Sequence, residues 1–496
     1  MNICAQFLDA RLAEGAGDRI AIRTDERAWS AAALVEASSR WAGLLRRDGV
    51  TPGSRVLIAL GDGAPLVAAL FGALRLGGVA VIANPVLSDA ALAALAVDLE
   101  ARVVVAGQDR PALAEMGPGV AVLRAGSPDF EASLADAPCV AGCHPSALGD
   151  DALWQLSSGT TGRPKAVRHT HGGILASQRA YGAGVLGLRP EDVTIAAPKL
   201  LFGYAAGTNL LFPLAAGGST VLFPERSTAE SLVERIRRHS ATVLVTTPAM
   251  VRQMVHHPTL TRADLGSLRL ATSAGEALPG PLYERWMARF GVELLDGLGM
   301  TETCHIFISN RPGAVTPGTL GAVLPGYEVR LCDGAGIAVP AGEPGELWVR
   351  GPSVAAGYWA RPDEQRRVFR EGWCVSGDLV RRNPDGTFTH VGRVDDLLKV
   401  NGKWVVPGLV EACLLGHPSV LEAAVAGVVD ADGLVRPHAF VVAEGGSPAL
   451  AAELQAYSMA RLEPHAHPRA VVFLDQLPRT AQGKVDRAAL SAPRCP

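Results

Sequence analysis

Ser157-Ser158-Gly159-Thr160-Thr161-Gly162-Arg163-Pro164-Lys165 is a run of small, hydroxylated and glycine residues that closes on two cations. Glycine lets backbone N–H groups approach a ligand closely. The hydroxyls add donors, and Arg163 and Lys165 add charge, which together is the chemistry of a phosphate cradle. The Gly-x4-Gly-Lys-Ser/Thr pattern of the common nucleotide triphosphatases is not what this loop spells. A flexible linker of similar composition would not sit between two apolar strands. A second candidate is the carboxylate of Asp296-Gly297-Leu298-Gly299-Met300-Thr301-Glu302, on a glycine-bounded loop that follows an apolar strand. One such acid suits magnesium held against phosphates, because that ion keeps waters and takes few protein carboxylates. Asp378 in Ser376-Gly377-Asp378-Leu379 is a short acid able to accept two vicinal hydroxyls, with Arg393 nearby in sequence as a donor. Ser273-Ala274-Gly275-Glu276 at a strand end and Lys484 in Pro478-Arg479-Thr480-Ala481-Gln482-Gly483-Lys484 say little by themselves.

These groups need a scaffold, and the pattern supplies one. Helical stretches are expected over 31–46, 65–76 and 89–99, with strands over 55–60, 79–82 and 102–106. That alternation predicts parallel strands in an α/β layer. Residues 109–150, rich in Pro, Gly and Asp, read as irregular connection. The alternation resumes over 172–330, with an amphipathic helix at 227–239, a strand at 242–246 and a helix at 279–290. From 318 to 350 the pattern turns β-rich. Beyond about Asp396, short helices (407–415, 449–461) and strands (423–428, 439–442, 470–474) fit a small α+β domain of about 100 residues.

Length and charge narrow the class. A chain of 496 residues holds more than one domain. A formal charge of −3 leaves no basic footprint for nucleic acid. The eight cysteines form no Cys-x2-Cys pair and read as free thiols of a reducing cytoplasm. No signal peptide is expected, since Met1 to Asp9 has neither a basic start nor a long apolar run. Ala64 to Ala83 mimics a membrane span, but Arg75 within it costs about 2.5–3.5 kcal/mol on insertion scales. Gly77-Gly78 also splits the run, so a buried helix–strand unit is expected and no membrane partner.

Ser-Ser-Gly-Thr-Thr-Gly-x-Pro-Lys resembles the signature loop of the adenylate-forming superfamily, and the other four motifs follow in that superfamily's order. The resemblance spans nearly the whole chain. It implies a large N-terminal domain (1–394) of layered α/β subdomains plus a β-rich subdomain, and a small mobile α+β C-terminal domain (395–496). It implies an ATP/AMP site of Ser157, Ser158, Gly159, Thr160, Thr161, Gly162, Lys165, Ser273, Ala274, Gly275, Glu276, Asp296, Gly297, Asp378 and Arg393. Within that site the 273–276 loop flanks adenine, and Asp378 and Arg393 bind ribose. Thr301 touches the α-phosphate, Glu302 takes the Mg²⁺ of Mg-ATP, and Lys484 neutralises charge as the acyl–phosphate bond forms.

Lys199 to Gly207 and Gly299 to Phe307 resemble segments of the benzoate-CoA ligases more narrowly. By that likeness the acid is lined by Gly203, Tyr204, Ala205, Gly297, Gly299, His305 and Ile306, small residues with one aromatic and one aliphatic wall. Thr208 and Ala206 depart from the common Asn and Leu, which leaves room for a hydroxy- or aminobenzoate. The implied reaction is adenylation of an aromatic acid, then transfer to the thiol of coenzyme A. A phosphopantetheinyl carrier protein acting in trans is the alternative acceptor, and an inactive ligand sensor the alternative class. A hydrolase is disfavoured because no Gly-x-Ser-x-Gly elbow is present. The likeness further puts a hinge at Asp395 and a pantetheine tunnel at Lys399 to Gly402. Monomer and homodimer both remain open.

Overall fold

The structure is a computed structural model and describes residues 1–110, 113, 119–158, 164–400, 403–430, 434–443, 445–479 and 485–491. It is a mixed α/β fold with a separate C-terminal domain. Among the described residues, two large sheets carry the N-terminal part. One runs in the order Gly357–Tyr358, Pro164–Thr170, Asp151–Ser158, Val79–Ile82, Arg55–Ala59, Ala101–Gly107, Ala121–Ala125. The other has Leu294–Gly299, Leu270–Ser273, Val243–Thr246 and Val193–Ala196 as parallel neighbours in its middle. Val79–Ile82, Val243–Thr246 and Leu270–Ser273 are buried at every position. Unbroken apolar runs of this kind are what a parallel sheet covered on both faces requires.

Helices cover those faces, and their starts are written in the sequence. Ser30 caps Ala31–Arg47 by accepting from the Ala33 N–H, and Ser88 does the same for Asp89–Asp98. The apolar run that mimicked a membrane span is the helix Ala64–Arg75 and the strand Val79–Ile82. Arg75 is buried, and its guanidinium binds both oxygens of Asp9 at 2.6 and 2.9 Å. No helix among the described residues is long and apolar enough to cross a membrane.

Residues 109–150 need correction, since they contain the strand Ala121–Ala125 and the helix Pro128–Ala135. The strand lies at a sheet edge and is only half-buried, so its pattern is weak. The helix did carry a signal: Ser127 as cap, Pro128 in the first turn, then Asp129 and Glu131.

The β-rich part is an antiparallel sheet of Glu328–Cys332, Gly345–Arg350, Trp373–Arg382, Phe369–Arg370 and Phe388–Arg393. The turn Val394–Asp396 follows directly. The C-terminal domain then has its own core, with Val400, Val410, Leu414, Val425, Val441 and Leu454 among its buried side chains. Its three-stranded sheet, Val420–Val429, Val435–Ala443 and Ala470–Phe473, mixes an antiparallel and a parallel pairing.

Candidate active site

Ligands of open α/β sheets bind beyond the carboxyl ends of the strands. Ser157, Ser273 and Asp296 lie at or near those ends. Ser157 closes the strand Asp151–Ser158, whose hairpin partner Pro164–Thr170 pairs Lys165 with Ser157. Gly159, Thr160, Thr161 and Gly162 lie outside the described residues, as does the Ser158 side chain. Ser273 ends its strand and stands beside Asp296 in parallel register, which sets the 273–276 loop next to the Asp296 strand. Burial pushes the Asp296 carboxyl up to about 8, against the opposing pull of the Leu278 and Gly297 N–H groups.

Thr301 and Glu302 occupy a short 3₁₀ turn, Thr301–Thr303. Cys304 follows at φ +68°, in a region that side-chain-bearing residues rarely adopt. That kink reverses the chain so that Ile306 comes back beside Gly299. It thereby joins the Thr301–Thr303 turn to the segment of His305 and Ile306. Strained backbone of this kind persists where surrounding contacts over-determine it, and they do here. Ser353 Oγ donates to the Thr303 carbonyl (2.6 Å), and the Ala355 N–H donates to the Glu302 carbonyl (2.8 Å). The Tyr358 hydroxyl donates to Glu302 Oε1 (2.6 Å).

Of the residues expected to line the acid, Gly203 and Tyr204 are half-buried and Ala205, His305 and Ile306 buried. Gly203, Tyr204 and Ala205 start the helix Gly203–Ala206. Tyr204 shares a 2.5 Å hydrogen bond with Thr272 Oγ1. The His305 ring packs against Tyr181, Tyr204 and Phe212, with centroids 4.7–5.7 Å apart. Its Nε2 lies 3.1 Å from the Tyr204 carbonyl and 2.8 Å from Thr208 Oγ1. A carbonyl only accepts, so Nε2 carries the proton and Nδ1 the lone pair. Burial lowers the imidazole pKa to about 4, which keeps this tautomer neutral. Space is tight: a methyl on Gly207 would lie 2.3 Å from His305 Cδ2, and one on Gly203 2.3 Å from Gln155 Oε1.

Buried polar atoms in this region without a partner among the described residues include Gln155 Oε1, Ser157 Oγ, Ser273 Oγ, Asp296 Oδ1 and His305 Nδ1. Buried polar groups are nearly always paired, and each orphan costs about 1–3 kcal/mol. All of these orphans sit on candidate site residues or, for Gln155, against Gly203.

Sequence reasoning missed several residues. The Leu200 N–H donates to both oxygens of buried Asp62 at 3.2 and 3.1 Å, and Lys199 donates to the Phe223 carbonyl at 3.0 Å. These contacts pin the start of the Lys199 to Gly207 segment. Asp62 lies in the early α/β layer, far away in sequence, and nothing local announced it. Gln155 and Tyr358 were equally silent, as single residues within strands.

Asp378 and Arg393 face each other across antiparallel strands, with Arg393 Nη1 3.0 Å and His390 Nε2 3.3 Å from Asp378 Oδ1. Asp395 is exposed in the turn that leaves this sheet. Lys399 sits on the hairpin Leu398–Val400 and Lys403–Val405, 5.6 Å above the Trp404 ring. Gly402 and Lys484 lie outside the described residues. A chain of charges ties the C-terminal domain to the rest. Arg252 reaches Glu422 at 2.6 Å, Arg479 reaches Glu422 at 2.9 Å, and Arg479 also reaches Glu276 at 3.5 Å. Glu276 belongs to the 273–276 loop, so this chain ends at the candidate site.

Against known families, the AMP-binding enzyme profile matches residues 9–359. The chain belongs to that family. The profile of the AMP-binding enzyme C-terminal domain matches residues 409–484. Among its relatives, this AMP-binding enzyme is 38% identical to a benzoate–CoA ligase of Thauera aromatica, over 99% of this chain and 95% of that one. It superposes on the crystal structure of a benzoate CoA ligase from Burkholderia xenovorans with a TM-score of 0.92 and 39% identity, covering 99% and 100% of the two chains. An anthranilate CoA ligase solved with anthranoyl-AMP gives a TM-score of 0.92 at 34% identity, covering 99% and 96%.

Proposed function

We propose that the protein adenylates an aromatic carboxylic acid and transfers the acyl group to coenzyme A. A carboxylate oxygen of the acid attacks the α-phosphorus of ATP, and pyrophosphate leaves. The thiol then attacks the acyl carbon and AMP leaves, so the products are the thioester, AMP and pyrophosphate. The observation that carries this reading is the set of orphaned polar atoms, three on the nucleotide side (Ser157, Ser273, Asp296) and one on the acid side (His305) of a family-typical site. Thr301 and the 157–165 loop hold phosphates. Asp378 takes ribose hydroxyls, and Arg393 swings from its present bond to Asp378 toward the nucleotide. Lys484 supplies the cation that offsets charge at the α-phosphate.

Glu302 fits a magnesium role: it is a half-buried acid with one oxygen fixed by Tyr358, and no salt bridge takes it among the described residues. The ion neutralises phosphate charge when bound. The boundary near Asp395 divides a body that binds ATP and acid from a C-terminal domain that turns between the two half-reactions.

His305 refines the substrate class. Its Nδ1 accepts and has no partner, so a ring hydroxyl or amine fills it where bare benzoate leaves it dry. The test is pyrophosphate release across benzoate, hydroxybenzoates, aminobenzoates and octanoate. A kcat/KM above that of benzoate is expected for at least one donor-bearing ring, and octanoate should come last. If benzoate leads the rings, the role of His305 is wrong; if octanoate leads, the aryl assignment is.

A further inference from the structure

We infer that Tyr358 is a positioning residue that fixes the Glu302 carboxylate for the nucleotide-bound metal and ties it to Lys165 at the exit of the phosphate loop. The inference rests on the reading that Glu302 takes the magnesium of Mg-ATP. Its own evidence is a set of contacts around one ring. The hydroxyl donates to Glu302 Oε1 at 2.6 Å, and the Lys165 ammonium stands 4.8 Å from the ring centroid on a π face. The side chain is buried, with Phe369 edge-on at 5.4 Å.

Its backbone is fixed as tightly. Tyr358 pairs with Val167 across the antiparallel strand that carries Lys165. The Tyr358 N–H donates to Gln365 Oε1 at 2.8 Å. The preceding Gly357 has φ +130°, and a Cβ there would lie 2.2 Å from the same Gln365 oxygen. Only glycine leaves room for Gln365 to reach that N–H.

The arrangement has a chemical consequence. A carboxylate on a short turn has two oxygens and several rotamers, and a metal site needs one of them. A hydroxyl donated to Oε1 leaves Oε2 as the oxygen offered to a cation. Outer partners of this kind orient metal-binding carboxylates, and losing one typically costs 10–100-fold in metal affinity. The ring meanwhile holds Lys165 beside the acid, so one side chain sets the spacing of a cation and an anion that both serve phosphate.

The experiment is calorimetric titration of wild type and Tyr358→Phe with Mg-ATP, and separately with ATP in EDTA. Phenylalanine keeps the ring, and with it the Lys165 and Phe369 contacts, while removing only the donor. Binding of Mg-ATP should weaken about tenfold or more, and binding of metal-free ATP should stay within about twofold of wild type. Equal weakening of both titrations would mean that Tyr358 merely supports the pocket, and no change in either would mean that Glu302 is held without it. Both results overturn the inference. Failure of wild type to bind Mg-ATP more tightly than ATP would instead overturn the magnesium reading beneath it. Thermal unfolding of both proteins, with matching cooperative transitions, excludes a folding defect as the cause.

Discussion

Replacing Asp296 by asparagine should stabilise the ligand-free protein at pH 8 and do so much less at pH 5. The carboxyl is 5% exposed, its Oδ1 has no partner, and burial pushes its pKa up to about 8. In an unfolded chain the same group titrates near about 3.9. The native state therefore holds the proton more tightly. Its stability is greatest below about pH 4, declines as pH rises towards 8, and is level above that. At about 1.36 kcal/mol per pH unit, the full cost of ionising the group is a ceiling of roughly 5 kcal/mol. Relaxation and water penetration reduce that, so roughly 2–4 kcal/mol should be recovered at pH 8. Asparagine suits the site because its amide is an uncharged near-isostere of the protonated acid: it keeps an oxygen for the Leu278 and Gly297 N–H groups and puts no charge at the orphan position. The assay is urea unfolding of both proteins at pH 5, 6, 7 and 8. The difference should open steadily with pH. A constant difference, or a loss at pH 8, would refute a neutral buried Asp296. Adenosine adds a check, since its exocyclic amine can donate to the orphan oxygen and favour the ionised form. Stabilisation by saturating adenosine should grow with pH in wild type and stay level in the variant.

Three further outcomes are expected. Gly207→Ala drives a methyl into His305, and overpacking of about 1–3 kcal/mol should raise KM for the acid some tenfold or more while KM for ATP holds; equal changes in both would place the cluster away from the acid. Glu422→Gln breaks the Arg252 and Arg479 contacts, and at about 1 kcal/mol for such half-exposed pairs should slow aryl-AMP formation about fivefold without slowing thioester formation from pre-made aryl-AMP; equal losses in the two half-reactions would show that the charge chain does not favour the adenylating orientation. Asp395→Pro fixes φ near about −65° at the turn between the sheet and the C-terminal domain, so it should still release pyrophosphate yet fail to make thioester. Near wild-type thioester turnover in that variant would move the hinge elsewhere or remove it.

What the sequence made legible follows from how local each signal is. Strands such as 79–82 and 242–246 and helices such as 31–46 could be read because buried parallel strands are short apolar runs and capped helices begin at Ser or Thr, whereas Val193–Ala196, Ser219–Val221 and the helix Pro248–His256 were not named. The edge strand Ala121–Ala125 was lost because half-burial blurs its pattern. In the site, motif residues such as Asp296 and Glu302 stand out through glycine neighbours. Their supports do not: Asp62 meets Leu200 across 138 positions, and Tyr358 meets Glu302 across 56. Neither spacing nor composition encodes such contacts, which exist only once the sheets are assembled. The tautomer of His305 was likewise beyond reach until the Tyr204 carbonyl was seen beside Nε2.

The central claim is that one chain makes an acyl adenylate from an aromatic acid and passes it to coenzyme A. The direct measurement is mass spectrometry of products after incubating the purified protein with Mg-ATP, coenzyme A and, in parallel, benzoate, a hydroxybenzoate, an aminobenzoate and octanoate. The account predicts an aroyl-CoA formed mole for mole with AMP and pyrophosphate, fastest with a donor-bearing ring. AMP and pyrophosphate accumulating with no CoA thioester from any aromatic acid, or octanoyl-CoA outrunning every aroyl-CoA, would contradict it.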